Sequence, residues 1–144
     1  MLELEPPAFI ALPGPISTNN LFSNVPGKGR VATKNYKKWK GLAADCIGSH
    51  APIPRFTVPV EITLFVGEVG VGQMDSDNTA KAYIDALKNA GVIRDDSRKW
   101  LRRSEAVWVP GMAGCVAQIK AAANVPNAGE IVARIPKGLR ELLR

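Results

Sequence analysis

The sequence predicts an α+β fold, a small mixed β-sheet with helices packed against it, in a single domain spanning residues 1–144. Three observations predict it. Apolar residues make up 46% of the chain, enough for one ordinary core and too many for a disordered one. From Thr57 to Val66 the chain alternates with period two, placing Val58, Val60, Ile62, Leu64 and Val66 on one face and Thr57, Pro59, Glu61, Thr63 and Phe65 on the other. Two stretches of helical period, Thr33–Gly48 and Asn78–Ala90, flank that strand.

The remaining elements follow in order. Phe9–Leu12 is a short apolar strand stopped by Pro13-Gly14-Pro15. Ser17-Thr18-Asn19-Asn20 is too rich in turn formers for regular structure, and Pro26-Gly27-Lys28-Gly29 is another turn before a short strand at Arg30–Ala32. Thr33 is the expected N-cap of the first helix, whose core face is Tyr36, Trp39, Ala43, Cys46 and Ile47. Pro59 lacks a ladder donor and marks the long strand as an edge strand, or marks a point near its beginning. In the second helix Ala80, Tyr83, Ile84, Leu87 and Ala90 form the apolar stripe. Ser76 or Asp77 caps its start and Gly91 occupies the left-handed position after its end. Ala106–Val109 and Cys115–Ile119 read as two strands joined by the turn Pro110–Gly114. Glu130–Ile135 reads as a strand and Lys137–Arg144 as a short basic amphipathic helix.

Composition excludes several kinds of chemistry. Cys46 and Cys115 form no Cys-x-x-Cys pair and His50 is the lone histidine, so no zinc set and no histidine-based triad can be assembled. Both thiols are expected to be buried in a reducing compartment. No apolar run approaches the ~20 residues of a membrane span, and the acidic start Met1–Pro7 does not resemble a signal peptide, so the expected location is cytoplasmic. The three glycines between Gly67 and Gly72 match no phosphate-binding spacing and read as a flexible loop.

The net charge of +6 is unevenly distributed. Lys28, Arg30, Lys34, Lys37, Lys38 and Lys40 crowd one stretch without an acid. Arg94, Arg98, Lys99, Arg102 and Arg103 form a second cluster, interrupted by Asp95 and Asp96. Such patches attract polyanions, nucleic acid foremost; the alternative is a pair of solvated faces.

Chemistry therefore falls to carboxylates and lysines. Asp75 and Asp77 precede the second helix, and Asp95 and Asp96 follow it. Carboxylates one residue apart repel unless a cation lies between them, which suits Mg²⁺ or Mn²⁺. The other reading of the first pair is helix capping. The thirteen residues Asn78–Ala90 rise roughly 20 Å as a helix, and Gly91–Asp96, if extended, covers at most about 20 Å, so the spacing permits Asp96 to return to Asp77. Lys81, four residues after Asp77 and four before Asp85, is placed to stabilise charge on a phosphate or to pair with Asp85. A calcium-binding EF-hand is excluded because Ala80 and Ala86 stand where its Gly and Glu belong.

The uninterrupted string from Asp75 to Asp96, Asp-Ser-Asp-Asn-Thr-Ala-Lys through Asp85-Ala86-Leu87 and Gly91 to Asp95-Asp96, resembles the signature of the RusA family of crossover junction endonucleases. Leu12-Pro13, Pro15 and Asn19-Asn20 resemble the family's N-terminal strand and turn, and the similarity spans roughly residues 8–120. The resemblance implies a RusA-like domain forming a homodimer that binds four-way DNA junctions and nicks opposed strands with Mg²⁺, with Mn²⁺ as a substitute. It maps catalytic roles onto Asp75, Asp77, Asp96 and Lys81, with Asp75, Asp77 and Asp96 as metal ligands and Asp95 in support. Phosphate contacts then fall to Lys28, Arg30, Lys34, Lys37, Lys38, Arg98, Lys99, Arg102 and Arg103. Two features depart from the pattern. Gly70–Met74 stands where some members carry arginines, and residues 121–144 form a C-terminal extension without an assigned role. Competing readings are a nuclease for flaps or forks, and a non-catalytic nucleic-acid-binding module.

Overall fold

The computed structural model describes residues 6–75, 78–123 and 126–143. In chain order these residues form β1 (Ala8–Leu12), β2 (Phe22–Val25), β3 (Gly29–Ala32), α1 (Lys34–Gly48), β4 (Val60–Gly67), α2 (Ala80–Asn89), β5 (Leu101–Val109), β6 (Cys115–Ala121) and α3 (Ala128–Arg134), with 3-10 turns at Thr18–Asn20 and Lys137–Leu143. A four-stranded mixed sheet has the order β1-β6-β4-β5; β4 and β5 are parallel and the other neighbours antiparallel. The expected α+β class with a small mixed sheet is what the chain forms. β2 and β3 make a separate hairpin, closed by a turn with Pro26 at its second position and Gly27 at φ 77° in its third.

The alternation in β4 puts Val60, Ile62, Leu64 and Val66 into the core, where each such burial is worth about 1.5–3 kcal/mol. Ile10, Leu12, Cys115, Ala117 and Ile119 extend that covered face, and the buried sides of α1 and α2 complete the core. Val58 is not part of it. The strand starts at Val60, after Pro59, and Val58 is exposed. Pro59 therefore marks a beginning, and β4 is interior in the sheet, not an edge.

Thr33 caps α1 as expected, its hydroxyl accepting from the Tyr36 amide at 3.1 Å. Tyr36, Trp39, Ala43 and Ile47 are buried, whereas Cys46 is only half-buried, a correction to the expected pair of buried thiols. Burial pushes the Cys115 thiol up to about 12, so it stays protonated and inert. The N-cap position of α2 is Thr79, not the expected Ser76 or Asp77, both of which lie outside the described residues. Its far end is closed as expected: Gly91 at φ 76° lets its amide donate to Lys88 and the Val92 amide donate to Leu87, with Leu87 and Val92 both buried.

Two further expectations fail. β5 and β6 are not partners across the Pro110–Gly114 turn; β4 lies between them. That connection crosses the end of β4, with Gly67 donating to Gly114, Val69 to Met112 and Glu68 to Val109. The segment read as a strand at Glu130–Ile135 is largely helical, as α3. Asn127 caps it by accepting from the Glu130 amide while Glu130 accepts from the Asn127 side chain, a reciprocal box written in Asn-x-x-Glu. Among the described residues, no helix is long and apolar enough to cross a membrane.

The polarity of these elements positions the site. α2 leaves the C-terminal end of β4, here the upper end of the sheet, and runs back to the lower end. There the Val92 carbonyl accepts from Phe56, four residues before β4, and Val60 donates to Trp100, one residue before β5.

Candidate active site

Asp75 stands at the upper end. It follows the loop after β4, is exposed, and its backbone carbonyl accepts from the Asn78 amide at 3.0 Å. The Asn78 carbonyl accepts from the Thr18 hydroxyl at 3.0 Å, which ties the approach to α2 to the N-terminal turn. Below this point two buried aromatics hold the chain after β1. Tyr83 donates to the Pro13 carbonyl and Trp39 to the Gly14 carbonyl, both at 2.7 Å, with their rings 5.2 Å apart edge to face. Both helices are thereby fixed to the segment after β1, whose Thr18 in turn holds Asn78. Asp77 lies outside the described residues. Beside Met74 opens a cleft of about 210 Å³ lined by Glu68, Val71, Gly72, Met74 and Trp108. Glu68 is a further carboxylate at this end. In the sequence it is part of a glycine-rich loop, and its place two residues after the longest alternating run is the available signal.

Lys81 projects from the first turn of α2 and makes a 3.4 Å ion pair with Asp85. Being half-exposed at the lysine end, this pair contributes little to stability and leaves the ammonium free to exchange partners. Asp85 also adds its negative charge to burial in raising the Tyr36 hydroxyl.

Asp95 and Asp96 stand at the other end of α2. The extended return path that the spacing permits is not taken. After Gly91 the chain turns repeatedly, buries Val92 and Ile93, and bonds to Phe56. Asp96 is exposed and lies 3.5 Å from the Lys88 ammonium. The Asp95 carboxyl is held below the usual carboxylate range by the Asp96 amide and then by the Ser97 hydroxyl. Since α2 has ten residues and rises about 15 Å, Asp75 before it and Asp96 after it are separated by roughly that length.

The cationic residues divide in the same way. Lys28 sits in the β2–β3 turn, Arg30 stacks 4.5 Å over the Phe22 ring, and Lys34, Lys37 and Lys38 are exposed on the first turns of α1. This group joins the upper end, because Thr33 at the head of α1 bonds to Asn20 and Leu21. Arg98, Lys99, Arg102 and Arg103 belong to the lower end and the start of β5. There Arg94 and Lys99 both lie over the Trp100 ring, at 4.8 and 5.2 Å. Sequence reading missed Trp100 as the platform of this group. Arg102 donates to the Arg98 carbonyl, and Arg103 pairs with Glu105 at 3.6 Å.

The acids are hard oxygen donors of the kind a divalent cation takes. Among the described residues, however, no group of three or more His, Cys, Asp or Glu stands close enough together to hold a metal ion. The described donors of one chain do not make a complete metal site.

Exposed carboxylates and cationic residues thus stand at both ends of α2. The family model for endodeoxyribonuclease RusA matches residues 13–104, well over half of the chain, and the chain belongs to that family. The match takes in the upper-end loop, α2, the lower-end acids and the first residues of β5. No curated protein matches the chain closely.

Proposed function

We propose that this protein is a structure-specific endonuclease that resolves four-way DNA junctions as a homodimer, by paired nicks in opposed strands. The observation that carries the proposal is the family match over residues 13–104, which spans an exposed Asp75 at the head of α2. Asp75, Asp77 and Asp96 are the proposed ligands of Mg²⁺, or of Mn²⁺ in its place, with Asp95 in support. Such an ion supplies a Lewis acid and lowers the pKa of bound water. Lys81 holds phosphate charge by exchanging Asp85 for the substrate, a change between two solvated partners that costs little. Lys28, Arg30, Lys34, Lys37, Lys38, Arg98, Lys99, Arg102 and Arg103 bind backbone phosphates, which positions DNA without reading its sequence. A two-fold protein suits a junction whose arms are related by approximate two-fold symmetry.

The test compares a mobile four-way junction with flap, fork and linear duplex substrates, with Mg²⁺ and with chelator. Symmetric, ligatable nicks confined to the junction and dependent on the ion are expected. Cleavage of flaps in preference moves the substrate, and no cleavage under any condition leaves a binding module. Junction affinity is also expected to fall by about 10³-fold between 50 and 200 mM salt, if six or more phosphates are neutralised. An affinity indifferent to salt contradicts the role given to the two cationic groups.

A further inference from the structure

At the foot of α2 the segment Arg94–Trp100 carries a side-chain cluster whose charges the fold leaves unbalanced. Its centre is Trp100, a half-buried indole whose backbone is fixed on both sides. The Trp100 amide donates to the Ser97 carbonyl at 2.9 Å, and the Trp100 carbonyl accepts from the Val60 amide at 2.8 Å, at the start of β4. Arg94 follows the buried pair Val92 and Ile93, and the Val92 carbonyl accepts from Phe56. The Arg94 guanidinium lies 4.8 Å, and the Lys99 ammonium 5.2 Å, from the centre of the same indole.

These distances put two positive charges within about 10 Å of each other. Arg94 and Lys99 are both exposed, and among the described residues neither forms an ion pair. The acids of the same segment are engaged elsewhere. Asp96 pairs with Lys88 at 3.5 Å, and the Asp95 carboxylate accepts from the Asp96 amide and the Ser97 hydroxyl. The negative face of the indole offsets part of the repulsion between the two cations. An anion bound across them would offset the rest.

A nucleic-acid backbone carries charges at the right repeat. A strand advances about 3.4 Å of duplex axis per nucleotide, so cations this close meet phosphates no more than a few nucleotides apart. The guanidinium fork suits a pair of phosphate oxygens, and the ammonium acts as a point charge. We infer that Trp100 is a positioning residue that holds Arg94 and Lys99 as a two-pronged clamp on neighbouring phosphates of the strand beside Asp96. Arg94 thereby joins the DNA contacts, and the ring acts through the two cations without touching a base. The clamp rests on the nuclease reading for its ligand, a DNA backbone, and needs no metal.

Binding of a fixed four-way junction in chelator, titrated at several salt concentrations, reads the clamp without cleavage. Each phosphate contact contributes about 0.9 to the slope of log affinity against log salt. Arg94→Ala and Lys99→Ala are each expected to lower that slope by about one. Trp100→Leu keeps an apolar side chain but removes the ring face, and is expected to lower the slope by about two. Trp100→Phe keeps a ring face and is expected to retain the slope. In the Trp100→Leu background, Arg94→Ala is expected to change little further, because its contact is already lost. A slope unchanged by Arg94→Ala, an exposed substitution that leaves the core alone, overturns the clamp whatever becomes of the tryptophan variants. Weaker binding by Trp100→Leu at an unchanged slope makes the ring a surface for an unstacked base, and also overturns it. Equal loss of slope in Trp100→Phe and Trp100→Leu assigns the ring to packing and overturns its positioning role. Wild-type protein that binds no junction defeats the clamp and the nuclease reading together. Wild-type binding with a slope indifferent to these variants defeats the clamp alone.

Discussion

Replacing Asp75 by Asn is expected to reduce junction nicking by about 10³-fold, the scale seen when a group that stabilises developing charge is removed. Asp77→Asn is expected to do the same. Junction affinity should stay within about twofold, because neither change touches a cationic contact. The fold should be indifferent to the first change: Asp75 is exposed, and the bond it makes to Asn78 comes from its backbone carbonyl, which asparagine keeps. Single-turnover nicking of a fixed junction, beside a gel-shift titration, separates the two effects. Undiminished nicking by either variant removes that acid from the site. Parallel loss of nicking and affinity assigns it to binding instead.

Gly67→Ala is expected to be the most damaging small change in the sheet. The connection from β5 to β6 passes over the end of β4 so closely that a methyl group at Gly67 would overlap the Met112 carbonyl and press on that of Gly114. Both obstacles are backbone, held by the Gly67–Gly114 and Val69–Met112 hydrogen bonds, so neither can swing aside. Overpacking of this kind costs about 3 kcal/mol. For a chain of this length that lowers the melting temperature by about 10 °C. Gly72→Ala is the control: it lies in the loop that follows, has open space around it, and should change stability by less than about 0.5 kcal/mol. Thermal unfolding of the two variants decides the matter, and equal melting temperatures would contradict the close crossing.

The difference between these glycines was not legible in the chain, where both belong to one glycine-rich stretch. Local chemistry was. Thr33 caps α1, Gly91 closes α2 in a left-handed turn, and the alternation in β4 faces the core, because each depends on residues within a few positions of one another. β5 was read as only Ala106–Val109, because Arg102-Arg103-Ser104-Glu105 has no apolar alternation to show. Those residues form strand because β4 offers its backbone beside them, and they remain polar because one edge and one face stay open. α3 was misread for the opposite reason. Its cap was written in Asn127-x-x-Glu130, but the apolar residues that follow suggested a strand.

The acids show the same division. Their identity and the family to which they point were both readable in the string from Asp75 to Asp96. Contour length allowed that string to fold back on itself. The tertiary structure decided otherwise, because Val92 and Ile93 are apolar and are drawn into the core beside Phe56, which carries Asp96 to the foot of α2. By itself the sequence determined that Asp75 and Asp96 are candidates for the chemistry. Only the packing of a parallel β4–β5 pair determined that one chain holds them at opposite ends, since burial of the apolar residues between them outweighs any gain from bringing bare carboxylates together.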